Sequence, residues 1–206
     1  MPKTVAQVDN VIQALKFSRK TLLDPKTSPA DRALALAWLI HLTGDLHQPL
    51  HSTSLYSKEL YPTGDQGGNL VYLMQRTNLH ALWDGFLGGK ATVAEARNDA
   101  LVLAADEELK AAGEKAAESL DVEQWMRESR DLVQAVVYAD ELIAPLRKFE
   151  RLDDLKKSPI GLSESYLKTG GAVAKKRAVE AGFRLGAILK EVAAAQANEA
   201  KTHPAK

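Results

Sequence analysis

Five residues of this 206-residue chain have the types and spacing of a metal-binding set: His41, Asp45, His51, His80 and Asp84. Three histidines and an acid crowd the eleven residues of HLTGDLHQPLH, which runs from His41 to His51, and a second histidine–aspartate pair follows in NLHALWDGF. Within each pair the partners are four residues apart, and residues at that spacing share one face of a helix. Imidazole nitrogens with carboxylate oxygens form the ligand set that borderline cations such as zinc prefer. A lone histidine on an apolar helix is more often a hydrogen-bonded core residue. Here four of the five histidines fall between positions 41 and 80, with acids at ligand spacing or nearby. That clustering favours a metal site over packing alone.

The elements that must position these residues follow from local signals. The apolar run Ala33 to Ile40 reads as a buried helix continuing into His41. Ser28 is suited to cap it, with Pro29 at the first helical position and Asp31 where a capping-box acid sits. Pro49 lacks a backbone donor and restricts its predecessor, so the helix should stop near His47. His51 then lies just past the break, where the chain can turn back. Residues 52–69 read as an irregular excursion rich in Gly, Ser and Tyr, in which Gly67 and Gly68 allow positive φ or close approach of a ligand. Leu70 to Leu73 suggests a short extended piece, and the segment around His80 is helical.

Upstream, residues about 4 to 23 have the apolar spacing of an amphipathic helix. Downstream, Thr92 begins a helix running towards Gly113, and Asp121 caps another reading VEQWMRESRDLVQAVVYADEL. After the polar stretch 148–160, Ser163 opens a final helix from about 164 to 195, which Gly170-Gly171 would allow to be interrupted. Residues 196–206 read as a disordered, frayed tail in which His203 is solvated.

Abundant Ala and Leu with little β-branched alternation point to an all-α protein, a single helical domain over residues 1–195. Lys and Arg number 27, as do Asp and Glu. That balance leaves no basic footprint of the kind needed to hold nucleic acid by phosphate contacts alone; a metal cluster can supply a positive field locally. The chain has no cysteine, which excludes disulfides and thiolate zinc sites. No apolar stretch is long enough for a membrane span, and the start, MPKTVAQ, has no hydrophobic signal region.

Taken together, HLTGDLHQPLH, GDQGGN and NLHALWD, in that order, resemble the family of zinc-dependent single-strand nucleases named after the fungal nucleases S-one and P-one. Weaker agreement continues through WMRESRDLVQAVVY and the closing SESYLKTGGAVAKKRAVEAGFRLGAIL. The resemblance implies a mostly helical fold of the phospholipase C/nuclease type with a three-zinc cluster in a cleft. It assigns His41 to one zinc of a pair, Asp45 to the bridge between the paired zincs, and His51, His80 and Asp84 to a third zinc alone. His47 is not a ligand on this reading and belongs to the packing around the site. Asn69 corresponds to a residue contacting a nucleobase, with Gly68 giving it room. Trp83 belongs to the core, while Tyr56 and Tyr61 either face substrate or cover the loop.

The implied chemistry is hydrolysis of single-stranded RNA or DNA to 5′-phosphorylated nucleotides, with a 3′-nucleotidase activity beside it. A monomer acting outside the cytoplasm, secreted or periplasmic, is the matching expectation. The family's N-terminal tryptophan and the further His, Asp and His ligands that precede the HQPLH helix have no counterpart in this sequence, so ligands for one zinc are complete. Two other readings remain: a non-catalytic helical domain with one zinc, and a zinc phospholipase C.

Overall fold

The computed structural model describes residues 9–89 and 92–202, with side chains as far as residue 197. Asn10 opens α1 (Val11–Leu23) by accepting a hydrogen bond from the Gln13 N–H; the expected helical residues before Asp9 lie outside the described residues. Ser28 then accepts from the Asp31 N–H and donates its hydroxyl to the Asp31 carboxylate, 2.7 Å away. This starts α2 (Pro29–His47) with Pro29 at its first position. The apolar run of α2 is not buried throughout, as its composition suggests. Ala35, Leu39, Leu42 and Leu46 pack towards α1 and the last helix, while Leu34, Leu36, Trp38 and Ile40 are exposed. One face of the helix meets the core and the other does not.

α2 ends where Pro49 requires it to. Gln48 is extended (φ −81°, ψ 116°), and a single 3-10 turn, Pro49–Ser52, carries His51. After the irregular excursion, Leu73 forms one isolated parallel bridge with Ile160, and no strand occurs among the described residues. Asn78 caps α3 (Leu79–Asp84) through the Ala81 N–H, and a short 3-10 turn, Gly85–Leu87, follows.

The helix expected from Thr92 to Gly113 is two helices, α4 (Val93–Ala105) and α5 (Glu107–Ala117). Asp106 breaks the run: it is extended, and its carboxylate accepts from the N–H groups of Glu108 and Leu109, a cap that competes with helix continuation. The segment opened by Asp121 also divides. α6 (Val122–Leu132) passes into a π turn, Val133–Val137, breaks at Tyr138, and resumes as α7 (Asp140–Leu146). The polar stretch contains α8 (Leu152–Lys157).

Gly170-Gly171 does not interrupt α9 (Glu164–Thr202). Gly170 serves contact instead, because a Cβ there would lie 2.7 Å from the Phe86 ring. α9 stays helical beyond 195, and His203 lies outside the described residues.

Two apolar clusters meet at the end of α2. Leu42 and Leu46 join Leu15, Trp125, Ile188 and Val192, whereas Leu50 joins Val71, Leu79, Trp83, Val137 and Tyr166. The stretch from Leu46 to Leu50 is therefore pinned at both ends, each leucine contributing about 1.5–3 kcal/mol by burial. His51 follows directly. Trp83 is a core residue, as expected.

Candidate metal centre

His51, His80 and Asp84 converge: one ligand atom from each lies within 4.8 Å of the others. The capped helix α3 sets His80 and Asp84 one turn apart, with Nε2 and Oδ2 separated by 3.5 Å. The turn after α2 brings the His51 ring to 4.9 Å from the His80 ring. His80 Nδ1 lies 2.7 Å from the Gly67 carbonyl oxygen. A carbonyl only accepts, so Nδ1 carries a proton, and Nε2, which faces Asp84, is the nitrogen available to a metal. Burial pushes His51 below the usual histidine range, with the Asp45 carboxylate opposing and His80 adding to the shift. The neutral imidazole that results is the metal-binding form. Gln48 donates from Nε2 to Asp84 Oδ1 at 3.0 Å, tying the end of α2 to the acid on α3. Two imidazoles and a carboxylate are three protein ligands of the type zinc takes, so the residues present fit a metal.

The other expected pair lies alongside. His41 Nε2 is 3.1 Å from Asp45 Oδ2, and the same oxygen is 3.8 Å from His51 Nδ1. Asp45 thus stands between His41 and the His51–His80–Asp84 group. Among the described residues, no other group of three or more His, Cys, Asp or Glu side chains meets the ligand spacing.

The glycines of GDQGGN act on the backbone. Gly67 has φ +63°, and a Cβ would fall 2.6 Å from the Leu50 carbonyl oxygen. The space at Gly68 is taken by protein, since Leu50 Cδ1, Leu79 Cβ and the His80 nitrogen all lie 3.2–3.3 Å from a Cβ placed there. Asn69 is exposed and donates from Nδ2 to the Gln66 carbonyl at 2.9 Å, holding a turn in which Gln66 has φ +56°. Of the two tyrosines, Tyr61 is core and Tyr56 is exposed.

Beneath the site lies a polar network that sequence spacing does not reveal. His47 is buried, its ring tilted 48° against that of Trp125, and its Nδ1–H donates to the Thr43 carbonyl at 2.8 Å. Its Nε2 therefore accepts from Arg184 at 2.9 Å. Burial, with the nearby charge of Arg177, pushes His47 down to about 3. Arg177 donates to the His47 carbonyl and Ser129 to the Leu46 carbonyl, so side chains of α9 and α6 satisfy the last carbonyls of α2. Glu128 accepts from both arginines. Its one sequence signal is the closing stretch SESYLKTGGAVAKKRAVEAGFRLGAIL, which contains both Arg177 and Arg184. A second buried anchor, Asp65, accepts from the Leu55 N–H, the Ser54 hydroxyl and the Tyr138 hydroxyl. Only its place in GDQGGN hinted at it.

The fold and site define an all-α scaffold that gathers imidazoles and a carboxylate where one helix ends and another begins. The chain belongs to the S1/P1 Nuclease family, whose model matches residues 2–194. Endonuclease 1 of Arabidopsis thaliana is 32% identical over 162 residues, covering 77% of this chain and 49% of that protein. Nuclease P1 of Penicillium citrinum is 32% identical over 89 residues, 43% of this chain and 31% of its own length. Nuclease S1 of Aspergillus oryzae is 40% identical over 50 residues, covering 24% and 15%. The chain spans about half the length of the plant relatives it matches. Among the described residues, no helix is long and apolar enough to cross a membrane.

Proposed function

We propose that this chain carries part of the active site of a zinc-dependent phosphodiesterase that hydrolyses single-stranded RNA or DNA to 5′-phosphorylated nucleotides, with 3′-nucleotidase activity at the same centre. The observation that carries this reading is the convergence of His51, His80 and Asp84 in a protein of nuclease kinship. Those three residues would hold one zinc; His41 and Asp45 would serve a neighbouring pair. Bound zinc supplies Lewis-acid polarisation of a phosphoryl oxygen and a nucleophile at neutral pH. The protein's own part is positional. The Gly67 carbonyl fixes the His80 tautomer, Gln48 orients Asp84, and the Arg184–His47 bond holds the end of α2 in register. Asn69, exposed beside the glycines, would meet an unpaired base, and single strands suit such a site because their bases are free to leave the stack. On the same reading the protein works as a secreted or periplasmic monomer.

The test is zinc content and cleavage of single-stranded and duplex DNA on one sample of the full chain. Bound zinc with cleavage confined to the single strand is the expected result. About one zinc per chain without cleavage would favour a non-catalytic domain with one metal. A chain that holds no zinc would end the proposal.

A further inference from the structure

Two arginines stand immediately beside the ligand triad, and no expected site residue accounts for them. Arg130 Nε lies 3.4 Å from the carbonyl oxygen of Ser52, the residue after His51. The Arg76 guanidinium lies over Gly85, the residue after Asp84: a Cβ at Gly85 would be 3.4–3.7 Å from its NH2, Nε and Cζ atoms. Consecutive Cα atoms are 3.8 Å apart, so each guanidinium rests within one residue of a triad member. Both side chains are exposed, and both start from fixed points. Ser129, before Arg130, is buried and bonded to Leu46 O at 2.7 Å. Gln75, before Arg76, exchanges two hydrogen bonds with the Leu162 backbone.

Arg19, Arg127, Arg151, Arg177 and Arg184 all pair with carboxylates. Arg32, Arg76, Arg97, Arg130 and Arg147 form no ion pair among the described residues, and of these Arg76 and Arg130 are placed against the residues that adjoin the triad. Two anchored, exposed guanidiniums left uncompensated are suited to bidentate contact with phosphate oxygens.

We infer that Arg76 and Arg130 hold the phosphates flanking the one at the metal centre, giving a strand contacts that a single nucleotide at the same centre does not make. The inference rests on the nucleic-acid reading of the centre. Its test is fluorescence anisotropy of a nuclease-resistant phosphorothioate oligothymidylate of about ten nucleotides, bound to the zinc-loaded full chain across a salt series. Arg76→Gln and Arg130→Gln should each reduce the slope of log K against log salt by about 0.7, and the double variant by about twice that, since each removes one phosphate contact on a single strand. Zinc content and binding of thymidine 3′-phosphate should not change. Arg127→Gln, which removes an exposed arginine already paired with Asp121, should leave the slope as it is. Wild-type binding with an unaltered slope in both variants overturns this inference and leaves the nuclease reading standing. Equal weakening for the mononucleotide overturns it too, because the arginines would then serve the central phosphate. A zinc-loaded wild-type chain that does not bind the oligomer overturns both.

Discussion

The Gly67 carbonyl accepts from His80 Nδ1 at 2.7 Å, and it is aimed there by a backbone conformation that only glycine tolerates easily. The bond therefore links the left-handed turn of the excursion to the tautomer of a ligand histidine on α3. Gly67→Ala should disturb it twice, through φ +63° and through a Cβ 2.6 Å from Leu50 O. Loss of an orienting partner of this kind lowers metal affinity about 10–100-fold. Competition with a chelator would read this directly, and unchanged affinity in a folded variant would show that the carbonyl does not set the site.

The Arg184 side chain is almost wholly buried between Glu128, His47 and Trp125. Arg184→Ala should cost about 3–5 kcal/mol, because it strips a buried network of one charged partner. Urea unfolding would measure the loss. A cost within 1 kcal/mol, roughly that of a solvent-exposed pair, would mean that water replaces the guanidinium and the network is not the anchor of α2.

Glu128 gives this network a pH signature. Burial pushes its carboxyl up, but hydrogen bonds from Arg184 and Arg177, reinforced by their charges, hold it at about 2 against an ordinary 4.5. A carboxyl depressed in the folded state contributes stability that is complete above its unfolded value and is lost as pH falls through its folded one. Unfolding free energy should therefore decline from about pH 4.5 towards 2, and Glu128→Gln should lack that part of the decline. Parallel stability curves for the two proteins across that window would refute the assignment.

The ligand side chains were legible in the sequence because metal chemistry restricts residue type and a helix restricts spacing. His80 and Asp84 follow a one-turn rule, and Pro49 marks where α2 must stop. The capping signals at Ser28 and Asp121 were legible for the same local reason. What was not legible depends on contacts distant in the chain. Glu128 meets Arg184 across 56 positions, and Asp65 meets Tyr138 across 73, so no window of sequence contains either pair. The break at Asp106 was missed because apolar periodicity continues across it while the side chain caps anew. Gly170-Gly171 misled in the opposite direction: in α9 the missing side chain makes room for Phe86 and does not loosen the helix.

Asp65 is fully buried yet has three donors directed at it, from Leu55, Ser54 and Tyr138. It holds both ends of the excursion that presents Gly67. In Asp65→Asn the amide must turn an N–H towards one of those donors, leaving a buried group unsatisfied at about 1–3 kcal/mol. Amide exchange at Leu55 should quicken and zinc affinity should fall with it. If exchange quickens while zinc affinity holds, the excursion does not govern His80.

Asp45 offers the sharpest separation of metal binding from catalysis. Its Oδ2 is shared between His41 at 3.1 Å and His51 at 3.8 Å, whereas His51, His80 and Asp84 form their group without it. It is half-buried on the last turns of α2, and its carboxylate faces His41 and His51. Asp45→Ala should therefore leave the fold and the triad's zinc in place. On the proposed mechanism it removes the ligand that joins two metals, so hydrolysis of single-stranded DNA should fall to background. Zinc content and turnover must be read together. Lost turnover with the triad's zinc retained supports a bridging role; near-normal turnover removes Asp45 from the mechanism and leaves the triad to act alone.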